Sequence, residues 1–179
     1  MRFFIAVTPP PTIHKSILLL QKHFQNLGLF SFTHDHHITL QFLGEVSPTS
    51  LTIIQAKLKT VHCNPFRISL GPLGVFPSPH SPRVLWAGLI PHQKIIHLQK
   101  NITAVLLPQF PPDKKFHPHI TLARIKKITN KKLFLKQVQE TPVDTKTFTI
   151  HSFELIQSIL QPGKKPVYNT IEKYPLSNP

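Results

Sequence analysis

His37-Ile38-Thr39-Leu40, continuing as Gln41-Phe42-Leu43-Gly44, has a second copy in His119-Ile120-Thr121-Leu122, continuing as Ala123-Arg124. The leading histidines stand 82 positions apart, close to half of the 179 residues. Another histidine precedes each copy, at His36 and His117. In both copies apolar and β-branched residues alternate with polar ones, which predicts strands. Residues i and i+2 of a strand share a face. His37 and Thr39 are therefore expected on one face and Ile38, Leu40 and Phe42 on the other. In the second copy His119 and Thr121 oppose Ile120 and Leu122. An apolar face under helices and a His/Thr face lining an open cleft satisfies both copies.

Working outward, residues 1–7 read as a first strand. Ile13, Ile17, Leu20, Phe24 and Leu27 then recur at helical spacing, with Gly28 as the expected C-terminal stop. After the first motif, Ser47-Pro48 supplies a cap and a first helical residue for a stripe of Leu51, Ile54, Leu58 and Val61. Strand-like segments follow at 66–70, 74–77 and 83–89. Ile95, Leu98, Ile102 and Val105 start the order again as a helical stripe. A proline-rich loop, 108–112, leads into the second motif. A Lys-rich helix near 129–139 and strands at 146–151, 153–160 and 167–173 close the chain. Helix, His-Thr strand, helix, strands occurs twice, which predicts a duplicated α+β unit.

A chain of this length fits one domain or two small lobes, and 40% hydrophobic residues supply a core. Lys and Arg number 21 against seven acids, a net charge of +14 that points to a polyanionic partner, nucleic acid being the commonest. Residues 90–179 hold fourteen of the cations, several as pairs: Lys114-Lys115, Lys126-Lys127, Lys131-Lys132 and Lys164-Lys165. Cys63 is the one cysteine, which excludes an internal disulfide, disfavours a Cys-based zinc site and suits a reducing compartment, the cytoplasm. The opening apolar run is too short for a signal-peptide core. No apolar run approaches the ~20 residues that span a bilayer.

Two imidazoles facing one cleft suit general acid–base chemistry. The ordinary pKa near ~6.5 lets one ring be neutral while the other is protonated. Phosphodiester cleavage needs both states, a base for the nucleophile and an acid for the leaving oxygen. Thr39 and Thr121 would set hydroxyls beside the rings to hold non-bridging oxygens as charge builds on phosphorus. A metal site competes for the same residues, because His34-Asp35-His36-His37 and His117-Pro118-His119 space histidines two apart. Hydrolytic two-metal sites want bridging carboxylates, and only Asp35 and Asp113 lie near. Strand alternation also separates His36 from His37.

On these residues the chain resembles the 2H phosphoesterases, and more narrowly the RNA 2′,3′-cyclic phosphodiesterase group also called 2′-5′ RNA ligases. Besides the two motifs, the similarity takes in Arg2-Phe3-Phe4-Ile5-Ala6-Val7, Gly74-Val75-Phe76-Pro77, Arg83-Val84-Leu85-Trp86-Ala87-Gly88, and the closing stretch from Pro162-Gly163 through Tyr168 to Leu176. The resemblance implies an α+β, bilobal fold over 1–179, a single domain. Two antiparallel sheets would be related by a pseudo-two-fold axis around a central cleft, with helices outside. It implies hydrolysis of an RNA-terminal 2′,3′-cyclic phosphate to a 2′-phosphate without metal or cofactor, by a monomer with no membrane attachment. By position His37 would be the proton donor and His119 the proton acceptor, with Thr39 and Thr121 on the phosphate. Arg124 would contact phosphate or base. Phe42 is carried as a second substrate contact, although alternation favours core packing for it. ATP-independent 2′-5′ ligation at the same site, or RNA binding without turnover, are the alternative activities.

Overall fold

The computed structural model describes residues 1–111, 115–163 and 165–177. Pro112, Asp113, Lys114 and Lys164, which figure in the loop, ligand and basic-pair readings above, lie outside the described residues. The strands are β1 (Arg2–Val7), β2 (Gly28–Phe32), β3 (Ile38–Glu45), β4 (Phe66–Phe76), β5 (Val84–Ile90), β6 (His119–Ile128), β7 (Thr147–Ile150), β8 (Ser152–Ile159) and β9 (Val167–Pro175). The helices are α1 (Pro11–Lys22), α2 (Pro48–Leu58), α3 (His92–Leu106) and α4 (Lys131–Glu140). Two antiparallel sheets result, ordered β3-β1-β8-β9 and β2-β6-β5-β4-β7. Each places a His-Thr strand beside the strand that pairs with it, β1 in one sheet and β5 in the other.

The helices form where the sequence supplies both an apolar stripe and a start. α1 opens on Pro11, whose missing N–H costs nothing at a first helical position. It buries Ile13, Ile17 and Leu20. Ser47 Oγ accepts from the Ser50 N–H at 3.1 Å to cap α2. Asn130 Oδ1 caps α4 in the same way through the Leu133 N–H at 3.0 Å. Among the described residues, no helix is long and apolar enough to cross a membrane.

Between α1 and β3 the structure departs from the sequence expectation. α1 ends at Lys22, and Phe24 and Leu27 continue the buried stripe from turns. Gly28 does not stop a helix; it begins β2, an edge strand paired with the end of β6. A side chain there would sit 2.1 Å from the Lys127 carbonyl oxygen, so close pairing requires glycine. The segments at 66–70 and 74–77 join into one strand, β4, with an irregularity between Leu70 and Leu73.

The packing crosses between the halves of the chain. α1, from the first half, lies on β6, whereas α3, from the second, lies on β3 and also meets α2. Gln21 on α1 is buried and donates to the Thr33 and Leu122 carbonyls at 2.8 and 2.9 Å. Gln41 on β3 donates to the Phe110 carbonyl at 2.7 Å and accepts from Thr103 of α3 at 3.1 Å. One contiguous apolar core fills the space under both sheets. A smaller cluster, Phe4, Ala6 and Ile156 with Tyr168 against it, occupies the opposite, open face of the first sheet.

Candidate active site

The two motifs hold matching places in the two ladders. Thr39 and Ile38 pair with Ala6 and Val7; Thr121 and Ile120 pair with Trp86 and Ala87. Each ladder then skips one residue. Ile5 pairs with Gln41, leaving Leu40 extra, and Leu85 pairs with Ala123, leaving Leu122 extra. Such a bulge resets the in–out alternation. Ile38 and Leu40 are buried as expected, but Phe42 is not on their face: it is 63% exposed and returns to the side of His37 and Thr39. Its ring lies 6.2 Å from Phe4 on that open face. Arg124, five residues after His119 as Phe42 is after His37, is likewise exposed on the side of Thr121.

Both imidazoles are fixed by the same local contact. His37 Nδ1 lies 3.0 Å from the Asp35 carbonyl oxygen, and His119 Nδ1 lies 2.7 Å from that of His117. A carbonyl can only accept, so Nδ1 carries the proton and Nε2 is the free edge. Aromatic rings flank each histidine. Phe4 and Tyr168 lie 5.1 and 5.3 Å from His37; Phe76 and Trp86 lie 4.9 and 6.1 Å from His119. Trp86 rests flat on β4 because Gly74 has no side chain; a Cβ there would fall 2.2 Å from the indole. Its indole N–H is buried with no hydrogen-bond partner among the described residues.

Burial among these rings pushes both imidazoles below the ordinary histidine range. For His37 the Asp35 carbonyl and carboxylate pull upward, and His119 pushes further down, so the two lobes feel each other's charge. For His119 the His117 carbonyl pulls upward and the His117 ring pushes down. Burial raises the Tyr168 phenol, the Arg124 guanidinium opposes that rise, and Asp35 adds to it. Tyr168 belongs to the first sheet and Arg124 to the second, so Arg124 also acts across the cleft. An imidazole with Nδ1 held and Nε2 free accepts a proton when neutral and donates one when charged.

His36 divides from His37 as the alternation predicts, whereas His117 shares the Phe76 and Trp86 rings with His119. His36 is buried against α1, with its Nδ1 3.3 Å from that of His14. Burial, with help from the His14 ring, drives its pKa down to about 4. His117 stays at the surface with its ring 4.6 Å from Trp86. Among the described residues, no three His, Cys, Asp or Glu side chains are grouped to hold a metal ion. Sequence reasoning did not single out Phe4, Phe76, Trp86 or Tyr168 beside the histidines, nor the two orienting carbonyls. Alternation within β1 and β5 was the available signal for Phe4 and Trp86; Phe76 and Tyr168 come from β4 and β9.

Fold and site together define a two-lobed α+β protein in which each lobe offers a His-x-Thr strand to one cleft. The family model of the 2'-5' RNA ligase superfamily matches residues 10–160, and the chain belongs to that superfamily. An Aeropyrum pernix protein named RNA 2',3'-cyclic phosphodiesterase is 37% identical over 139 residues, 75% of this chain and 78% of the relative. TT0787 of Thermus thermophilus, a solved structure, is similar with a TM-score of 0.83 and 30% identity over 99% of each chain. E. coli LigT complexed with 3'-AMP gives a TM-score of 0.78 at 25% identity, over 99% of this chain and 98% of LigT.

Proposed function

We propose that the protein hydrolyses 2′,3′-cyclic phosphate ends of RNA, or cyclic nucleotides, to the 2′-phosphate without a metal ion. The observation that carries this reading is the matched pair of imidazoles, one per lobe, each held at Nδ1 by the carbonyl two residues before it. His119 Nε2 takes a proton from water as the water oxygen attacks phosphorus. The bond from phosphorus to the 3′ oxygen breaks, and His37 Nε2–H protonates that oxygen. Solvent then returns the two rings to their starting states. Thr39 and Thr121 donate to the non-bridging oxygens, and Arg124 neutralises phosphate charge. Phe42 offers a ring for an RNA base. The names of the relatives support the substrate class. One chain supplies both histidines, so a monomer in one bilobal unit suffices, and its lone cysteine suits the cytoplasm.

A variant of this reading has a specific observation in its favour. Phe76 and Trp86 form a ring surface beside His119, which an attacking water does not need. A 5′-hydroxyl of a second RNA end in place of water would give a 2′-5′ bond without ATP. The test is product identification from an oligonucleotide ending in a 2′,3′-cyclic phosphate, with and without chelator. The 2′-phosphomonoester is expected in both. A 3′-phosphomonoester would reverse the direction of attack. Activity lost to chelator and restored by one divalent ion would reject the metal-free route. Salt-sensitive RNA binding with no turnover would make the protein a binding module.

A further inference from the structure

Tyr168 stands on β9, and His37 immediately precedes β3. These are the two outer strands of the first sheet, with β1 and β8 between them. The Tyr168 ring nevertheless meets the His37 ring at 5.3 Å and the Phe4 ring at 5.4 Å, edge-on in both cases. It also packs on the small cluster of Phe4, Ala6 and Ile156. These contacts account for an aromatic ring at position 168. A phenylalanine would make all of them, so they do not account for the hydroxyl.

The chain's other tyrosine, Tyr174, donates its O–H to Glu172 Oε2 at 3.0 Å. Tyr168 makes no hydrogen bond among the described residues, and it lines the cavity of about 450 Å³ that opens beside His37. A buried phenol ordinarily finds a partner for its O–H, and this one is half-buried. Two charges reach it: Arg124, from the second sheet, and more weakly Asp35, whose carbonyl holds His37. Burial comes before both and raises the phenol above its ordinary value. Tyr168 therefore stays protonated, a hydrogen-bond donor, throughout the range in which the imidazoles titrate. An O–H donor, a guanidinium from the opposite lobe and the His37 imidazole converge on one part of the cleft. An oxyanion is the ligand that all three can share.

We propose that the Tyr168 O–H donates to a non-bridging oxygen of the substrate's phosphate, the oxygen that faces Arg124. That this phosphate is the reacting group rests on the proposed function. Charge builds on the oxygen as water adds to phosphorus, so the hydrogen bond strengthens toward the transition state. The second lobe sets no hydroxyl in the matching place, since the rings beside His119 are those of Phe76 and Trp86. The donor thus breaks the symmetry of the two motifs on the His37 side.

The test is Tyr168→Phe, which keeps the ring and removes the donor. For a nucleoside 2′,3′-cyclic phosphate, kcat/KM is expected to fall roughly ten- to hundredfold, mostly in kcat, the worth of one hydrogen bond to a charged group. Tm and the two apparent pKa values of the pH–rate profile are expected to stay native, because the ring still packs on His37. Native kcat/KM in Tyr168→Phe overturns the proposal and leaves the ring alone at work. A fall accompanied by displaced apparent pKa values also overturns it, since the hydroxyl would then act through His37. A second measurement uses the native protein. The chain has two tyrosines, so carbon-13 labelling at tyrosine Cζ gives two signals. Saturation with inorganic phosphate is expected to move the Tyr168 signal and leave that of Tyr174. A Tyr168 signal that stays in place overturns the proposal, even if the variant fails to fold. Should no cyclic nucleotide turn over, the proposed function fails, and calorimetry with inorganic phosphate decides Tyr168 alone. Weaker binding to folded Tyr168→Phe than to the native protein then supports the contact. Equal binding, or none to either, overturns it.

Discussion

One main-chain carbonyl holds Nδ1 of each imidazole, which leaves Nε2 as the free edge for the proposed acid–base chemistry. His37→Ala and His119→Ala should each lower turnover about 10²-fold or more, the usual cost of losing a positioned acid or base. The double variant should be little worse than the worse single, because the two act as one unit. Thr39→Ala and Thr121→Ala should each cost about 1.5–3 kcal/mol of transition-state stabilisation, one hydrogen bond to a charged group. Steady-state kinetics on a cyclic-phosphate substrate checks all five. His36 is expected to act on stability instead. Its folded pKa, about 4, lies below the ordinary value of 6.5, because burial and the rings of His14, His34 and His37 all resist its charging. The unfolded chain therefore binds the extra proton between those values. The stability owed to neutral His36 is fully present above pH 6.5 and drains away as pH falls toward 4. A tenfold change in proton affinity is worth about 1.4 kcal/mol, so after trimming for partial wetting of the ring roughly 2 kcal/mol is at stake. His36→Gln should lose correspondingly less stability between pH 7 and pH 4 in denaturant titrations. Among single residues, the repeated His-x-Thr pair was legible in the sequence because the repeat itself marks it. The orienting carbonyls were not, since every residue carries one and only the turn before the strand aims it.

Bulges decide which side chains the two His-Thr strands offer to the cleft. Strict alternation assigns Phe42 to the core, yet the extra residue at Leu40 brings it back to the open face, as Leu122 does for Arg124. A bulge has no signature in an alternating sequence, because its cause is register against a partner strand far along the chain. β2 was invisible for a related reason. Its five residues gain their hydrogen bonds from β6, about a hundred positions later, and its helical-looking approach continues the stripe of α1. Local signals sufficed where the cause is local, as at the Ser47 cap and Pro48. The close approach of β4 to Trp86 is testable by substitution. Gly74→Ala places a Cβ 2.2 Å from the indole, so the ring must tilt away from β4 toward His119. Overpacking of this kind costs about 1–3 kcal/mol. The expected result is a lower Tm together with a reduced kcat. A Gly74→Ala protein with native Tm and native kinetics would mean that the indole is free to move.

The two lobes exchange helices, α1 lying on β6 of the second sheet and α3 on β3 of the first. The duplicated order along the chain was legible in the sequence; the exchange was not, because an amphipathic stripe says that a helix packs but not on which sheet. The exchange ties the lobes together and keeps a histidine from each close enough for their charges to interact across the cleft. In the proposed mechanism that coupling bears on the pH dependence of activity. The base must be neutral, so activity falls as pH drops through its pKa. The acid must be protonated, so activity falls as pH rises through its own. Both rings are pushed below the ordinary value, by burial first and in His37 also by His119. A lowered base pKa extends activity toward acid, and a lowered acid pKa brings the alkaline fall earlier, so both limbs of the bell move the same way. The kcat/KM profile of the free enzyme should therefore peak below about 6.5, the unperturbed imidazole value. Its two apparent pKa values belong to the pair and not to either ring. Initial rates from pH 4 to 9 on a cyclic nucleotide measure this directly. A plateau extending above about pH 8 would show that the acid is a group of higher pKa than a buried imidazole.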